Sequence, residues 1–262
     1  ISDLSPSLPP SSHALPVSLH LTPSLLPPLT PPSSTITMAV DLHNVDALLE
    51  QERADEAMDH LAKMDKSWEV EWRLAHAMFI QSNSIEDVDK RRSLCREALS
   101  LAESSFTANP RSSDAAKQAA ILSGSLSESA SSSLEQMKIG AIFKKYLDSA
   151  IELMPQPDMV CLHMRGRFSY KVASLSFMER TVACKLVGSL PSCSYDDAIK
   201  DLLAADAIEA SLENDFILGK AYLGKGDKKM ARFYFTRSLE HKSESAIHEE
   251  MKEEAKKRLA KL

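Results

Sequence analysis

The chain has 262 residues, of which 44% are hydrophobic and 26% charged, with a formal net charge of -6 at pH 7. That is enough apolar material for one large or two small cored domains, and the acid excess excludes a general nucleic-acid binder, which needs a basic footprint to displace phosphate counterions. Only 7 glycines are present, too few for an all-β fold with its tight turns, and no run of about 18 apolar residues marks a membrane span. Cys95, Cys161, Cys184 and Cys193 form no C-x-x-C pair and read as reduced thiols of a cytoplasmic protein rather than as zinc ligands.

Residues 1–37 hold nine of the 13 prolines and a single charged residue, Asp3. Each proline fixes φ and removes a backbone donor, so this stretch reads as a disordered arm, or as sequence upstream of a start at Met38. The folded region is then 38–262, where apolar residues recur at three- and four-residue spacing in segment after segment. A half-formed first helix pair spans Val45–Met64. In the second, Trp72, Ala75 and Phe79 lie on one helix and Ala98 and Ala102 on its partner, which ends at Asn109-Pro110. The third closes with Ala150 and Pro155. The fourth has Gly166 on its first helix and Ala198, Leu202 and Ala205 on its second.

The fifth pair is the clearest. Leu218, Gly219, Tyr222, Ala231 and Phe235 stand at the offsets of the tetratricopeptide (TPR) pattern L-G-x₂-Y…A-x₃-F. Gly219 and Ala231 are small where two helices cross closely, and Gly226-Asp227 supplies the turn, with Asp227 as N-cap. A last segment with Lys252, Lys256, Lys257, Arg258 and Lys261 among Glu249, Glu250, Glu253 and Glu254 reads as a capping helix. Extra residues between paired helices, the serine-rich Ser123–Ser133 and the segment Phe177–Ser194, account for the uneven spacing. Five pairs in series imply an all-α fold, a right-handed solenoid of degenerate tetratricopeptide-like helix pairs that bury their apolar faces only against each other.

Several strings together resemble one family, the regulators of microtubule dynamics. They are Glu69-Val-Glu-Trp-Arg-Leu-Ala-His-Ala77, Ile142-Phe-Lys-Lys-Tyr-Leu-Asp-Ser-Ala-Ile-Glu-Leu153, Arg165-Gly166, Met178-Glu-Arg-Thr-Val-Ala183, Pro191, Tyr195-Asp-Asp-Ala198 and Leu218-Gly-Lys-Ala-Tyr222. The likeness runs from about residue 42 to residue 262. It implies a non-enzymatic TPR-like protein associated with microtubules, spindle poles and chromosome segregation, in a soluble, cytoplasmic form. One member of the family binds phospholipid through the same domain. Two departures stand out: Gln118 replaces a usual aromatic, and Ser123–Ser133 replaces a tighter Gly-Asp turn. They imply a less well packed third repeat.

No constellation of residues points to catalysis or to a cofactor. His241 and His248 share a helix face with Glu244, but no third metal ligand is fixed and both read as solvent-exposed. Gly224-Lys-Gly226 lacks the glycine–lysine–serine frame of a phosphate loop. Binding is the better expectation. The first helix of each TPR pair lines the groove, which puts Arg73, His163, Arg167, Tyr170, Lys171 and Lys220 on it, with only Glu213 opposing. Cations gathered on one surface of an acidic protein fit an anionic partner. The acidic tails of tubulin are one candidate and a phospholipid head group is the alternative; the asparagines of a chaperone-tail clamp are missing. Lys225, Lys228, Lys229, Arg232 and Arg237 make a second basic zone.

Overall fold

The computed structural model describes residues 33–188, 190–243 and 245–262. It is all helical among those residues: α1 (Ser33–Glu50), α2 (Ala54–Leu61), α3 (Trp68–Ser82), α4 (Val88–Ala108), α5 (Ser113–Glu128), α6 (Ser133–Leu153), α7 (Met159–Ala173), α8 (Phe177–Val187), α9 (Tyr195–Ile208), α10 (Leu212–Lys225), α11 (Lys228–Glu240) and α12 (Ala246–Leu259). The first helix begins at Ser33, ahead of the boundary expected at Met38. The remainder of the proposed arm, residues 1–32, lies outside the described residues.

Short polar residues start the helices. Ser67, Ser112, Ser132, Ser176, Ser194, Ser211 and Ser245 accept a bond from a backbone N–H of the first turn, as do Asp87, Asp158 and Asp227. Each satisfies a donor that has no partner inside its helix, an effect of about 1 kcal/mol per cap. Gly226 ends α10 at φ 92, a left-handed conformation that a Cβ would strain.

The helices pair as α1/α2, α3/α4, α5/α6, α7/α9 and α10/α11, and α12 packs along α10 and α11. This is the five-pair stack with a capping helix that the periodicity implies. Small residues set the crossings. A Cβ on Gly219 would lie 2.6 Å from the Phe235 ring, and one on Gly166 would lie 2.6 Å from Leu202. Ala98, Ala102, Ala150, Ala198, Ala205 and Ala231 are likewise fully buried between partners. Three clusters form the core in chain order, the first over α1–α3, the second over α3–α7 and the third over α9–α12.

Two expectations about the inserted residues change. The serine-rich segment is largely helix, because α5 runs through Glu128 and only Ser129–Ser132 connects it to α6. Ser123 is buried with its Oγ–H donated to the Ala119 carbonyl, and Gly124 lets Phe143 approach closely. The third pair is therefore tightly packed, with Ala115, Ala116, Ala119, Ala120 and Leu122 all fully buried. Gln118 stays buried because its amide donates to the Ala75 carbonyl of the preceding pair. The second insertion, between α7 and α9, is the extra helix α8, which packs on α6 and opens with a Ser176/Glu179 capping box.

Candidate functional site

Helices α1, α3, α5, α7, α10 and α12 follow one another along the first-helix face, and polar side chains link several of them to a neighbour. Arg73 of α3 grips Asp46 of α1 through two bonds, at 2.6 and 2.8 Å. Lys117 of α5 pairs with Asp158, the cap of α7. His163 of α7 donates from Nδ1 to Asn214 of α10 at 3.0 Å, and Asn214 donates onward to the Leu202 carbonyl. Glu213 of α10 meets His248 of α12 at 2.5 Å. Asn214 is fully buried, so it is spent inside the fold rather than offered to a peptide.

The densest charge lies between α5, α7, α10 and α12. Glu128 of α5 is 2.6 Å from Arg167 and 3.6 Å from Lys171, both on α7. Glu254 of α12 is 3.8 Å from Lys220 of α10 and 2.6 Å from Arg258 on its own helix. Tyr170 sits among these groups, with Lys220 Nζ 5.5 Å from its ring centre and 5.1 Å from that of Phe216. Four cations thus share two carboxylates, which leaves a local positive surplus.

That geometry shifts the pKa values of Lys171, Lys220 and Tyr170. Burial pulls the Lys171 ammonium below its ordinary pKa, with Arg167 adding to the effect and Glu128 opposing it. Burial also lowers Lys220, and the nearby charges of Arg258, Arg167 and Lys171 push the same way against Glu254. The Tyr170 hydroxyl is raised, first by burial. An anion placed among these groups would relieve mutual repulsion of partly desolvated cations, which is how a basic cluster becomes a binding site.

The six residues expected on the groove therefore all join polar or cation–aromatic links, but they do not form one patch. His163, Arg167, Tyr170, Lys171 and Lys220 lie on neighbouring α7 and α10. Arg73 is on α3, held by Asp46 and lying 4.2 Å over the Trp72 ring. The expectation that only Glu213 opposes the cations is corrected by Asp46, Glu128 and Glu254. His163 is also no cation in waiting, because burial lowers its pKa ahead of every other influence.

Glu128, Glu254 and Arg258 also belong to the groove, although the helix register does not mark them as groove residues. Glu128 follows Lys117 by about three helical turns and so shares its face; that signal disappears once the serine-rich segment is read as a loop. The two C-terminal histidines are also not solvent-exposed. His241 reaches the fully buried Asp215 at 2.9 Å, and His248 is held by Glu213. No group of three metal-ligating side chains occurs among the described residues, and none of their helices is long and apolar enough to cross a membrane.

The profile of the family described as Regulator of microtubule dynamics protein 1-3 matches residues 41–262. The chain belongs to this family. It is 31% identical to Regulator of microtubule dynamics protein 1 of Caenorhabditis elegans, over 74% of this chain and 87% of the relative. Identity to the Bos taurus protein 1 is 27%, over 82% and 68% of the two chains. The Rattus norvegicus protein 2 is also 27% identical, but the chain covers only 42% of it. Among solved structures, a thermophilic TPR protein from Thermus thermophilus superposes with a TM-score of 0.52 at 17% identity, covering 83% of this chain and 97% of that one. That likeness shows a TPR-like helical fold, and the family match makes this chain a relative of proteins named as microtubule regulators.

Proposed function

We propose that this protein is a non-catalytic, cytoplasmic adaptor that associates with microtubules by binding an acidic partner on its first-helix groove, in support of spindle function and chromosome segregation. The observation that supports this reading best is the sharing of Glu128 and Glu254 by Arg167, Lys171, Lys220 and Arg258. An acidic peptide laid along α7 and α10 would supply the missing negative charge, and half-buried Tyr170 would lie beside it. The tubulin tails, acidic and extended, have the required chemistry. A phospholipid head group is the alternative anion for the same cations.

The test is co-sedimentation of the full chain with microtubules made from intact and from tail-cleaved tubulin, across a range of salt. Binding to intact microtubules that is lost on tail cleavage supports the proposal. Absence from the pellet at low salt would sink direct binding, and capture by vesicles containing phosphatidylserine would then favour the lipid.

A further inference from the structure

The last repeat carries a second charged surface built in a different way. On α11, Lys228, Lys229 and Arg232 are exposed and reach no carboxylate among the described residues, and the same holds for Lys257 and Lys261 at the end of α12. Their surroundings are not short of acids, but most of those acids are committed elsewhere, Glu240 at the edge of the cleft excepted. Asp227 caps α11 through Met230, Glu254 holds Lys220 and Arg258, and Asp206 and Asp215 hold Arg237.

Apolar footholds lie beside these free cations. Phe233 of α11 is 52% exposed, packed edge-on against Tyr234. A cleft of about 360 Å³ lies around it, lined by Lys229, Arg232, Thr236, Arg237 and Glu240. A second notch of about 400 Å³ opens between α10, α11 and α12, lined by Leu223 and Leu262 with Lys228, Lys257, Arg258, Lys261 and one carboxylate, Glu254. Lys228, which lines the notch, is the chain neighbour of Lys229, which lines the cleft, so the two openings lie along one basic track beside α11.

We infer that this track binds an extended acidic peptide segment bearing a bulky apolar side chain, at a site separate from the groove. Carboxylates of the peptide meet Lys228, Lys229, Arg232, Lys257 and Lys261, while its apolar side chain covers Phe233. The charge is complementary and costs no internal ion pair to release. An exposed aromatic beside desolvatable cations is the composition expected of an interface anchor. This inference does not depend on the groove reading, because Lys228, Lys229, Arg232, Lys257 and Lys261 take no part in the groove, although Arg258 and Glu254 border both surfaces.

The test is fluorescence anisotropy of a fluorescein-labelled, glutamate-rich peptide with one central phenylalanine, titrated with the full chain at low ionic strength. Lys229→Glu/Arg232→Glu is expected to weaken binding by at least about tenfold, and added salt to weaken it further. Phe233→Ala is expected to weaken it about threefold to tenfold. All three residues are exposed, so circular dichroism should find these variants folded. In Arg167→Glu/Lys171→Glu, where the groove is charge-reversed, the component of binding that Lys229→Glu/Arg232→Glu removes should remain. Failure of the unaltered chain to bind the peptide at low salt overturns the inference. Loss only in the groove variant also overturns it, and would assign the acidic peptide to the groove instead. A chain that ignores the peptide but binds phosphatidylserine vesicles through Lys229 and Arg232 would replace the peptide by a lipid surface.

Discussion

On the first-helix face Arg167, Lys171, Lys220 and Arg258 each reach a carboxylate, whereas Lys228, Lys229 and Arg232 on the outer helix of the last repeat reach none among the described residues. The carboxylates on the first face come mostly from a neighbouring helix, so those ion pairs join one repeat to the next as well as presenting charge. On α11 only Arg237 plays that part among the described residues, bridging Asp206 at the end of α9 and the fully buried Asp215 of α10. Paired charge fixes the register of a stack; unpaired charge remains available to a partner. The groove lies between these cases, since its pairs are shared and leave a surplus.

The sharpest way to break the comparison is to remove Arg237. Arg237→Leu leaves Asp215 buried with only His241 beside it, and an uncompensated buried carboxylate is expected to cost about 3 kcal/mol or more in chemical denaturation. A loss no larger than that of Lys229→Ala, expected within about 0.5 kcal/mol of zero, would erase the distinction. Gly219→Ala asks whether packing matters as much as charge. Its Cβ would sit 2.6 Å from Phe235, so a cost of about 1–3 kcal/mol is expected from overpacking.

Acid should loosen the groove. Burial holds His163 below its ordinary pKa of 6.5, and it does the same for His76, with Lys117 adding to the effect. The unfolded chain therefore binds protons near 6.5 that the folded chain refuses. The stabilisation is present above that pH and is lost as pH falls below it toward the folded values. The urea midpoint should drop between about pH 7.5 and pH 5.5, and less so in His76→Gln/His163→Gln. An equal drop in that variant would contradict the assignment. A small stability effect is expected from Glu128→Gln, whose partly exposed ion pairs are worth about 0–1 kcal/mol. By freeing Arg167 and Lys171, however, it should tighten binding of an acidic peptide to the groove, measurable in the same titration.

Much of the stack is legible from spacing alone, because Gly166 opposite Leu202 and Gly219 opposite Phe235 are crossings that only small residues permit. The groove positions follow from that register. What spacing does not reveal is who pairs with whom. Asp46 reaches Arg73 from 27 positions away, and Glu254 reaches Lys220 from another helix. The serines misled for a related reason. Ser112, Ser132, Ser176, Ser194, Ser211 and Ser245 are helix starts, and Ser123 is a core residue that satisfies its own hydroxyl. Composition treats both kinds as loop, although the physics of a cap needs one serine at one place and not a serine-rich stretch.

Microtubule pelleting of two charge-reversed proteins tests the central claim most directly. Arg167→Glu/Lys171→Glu alters the groove, and Lys229→Glu/Arg232→Glu alters the outer track. The account predicts that the groove variant stays in the supernatant while the outer variant pellets as the unaltered chain does. A groove variant that still pellets, beside an outer variant that does not, would contradict it and move the microtubule contact to the unpaired cations of α11.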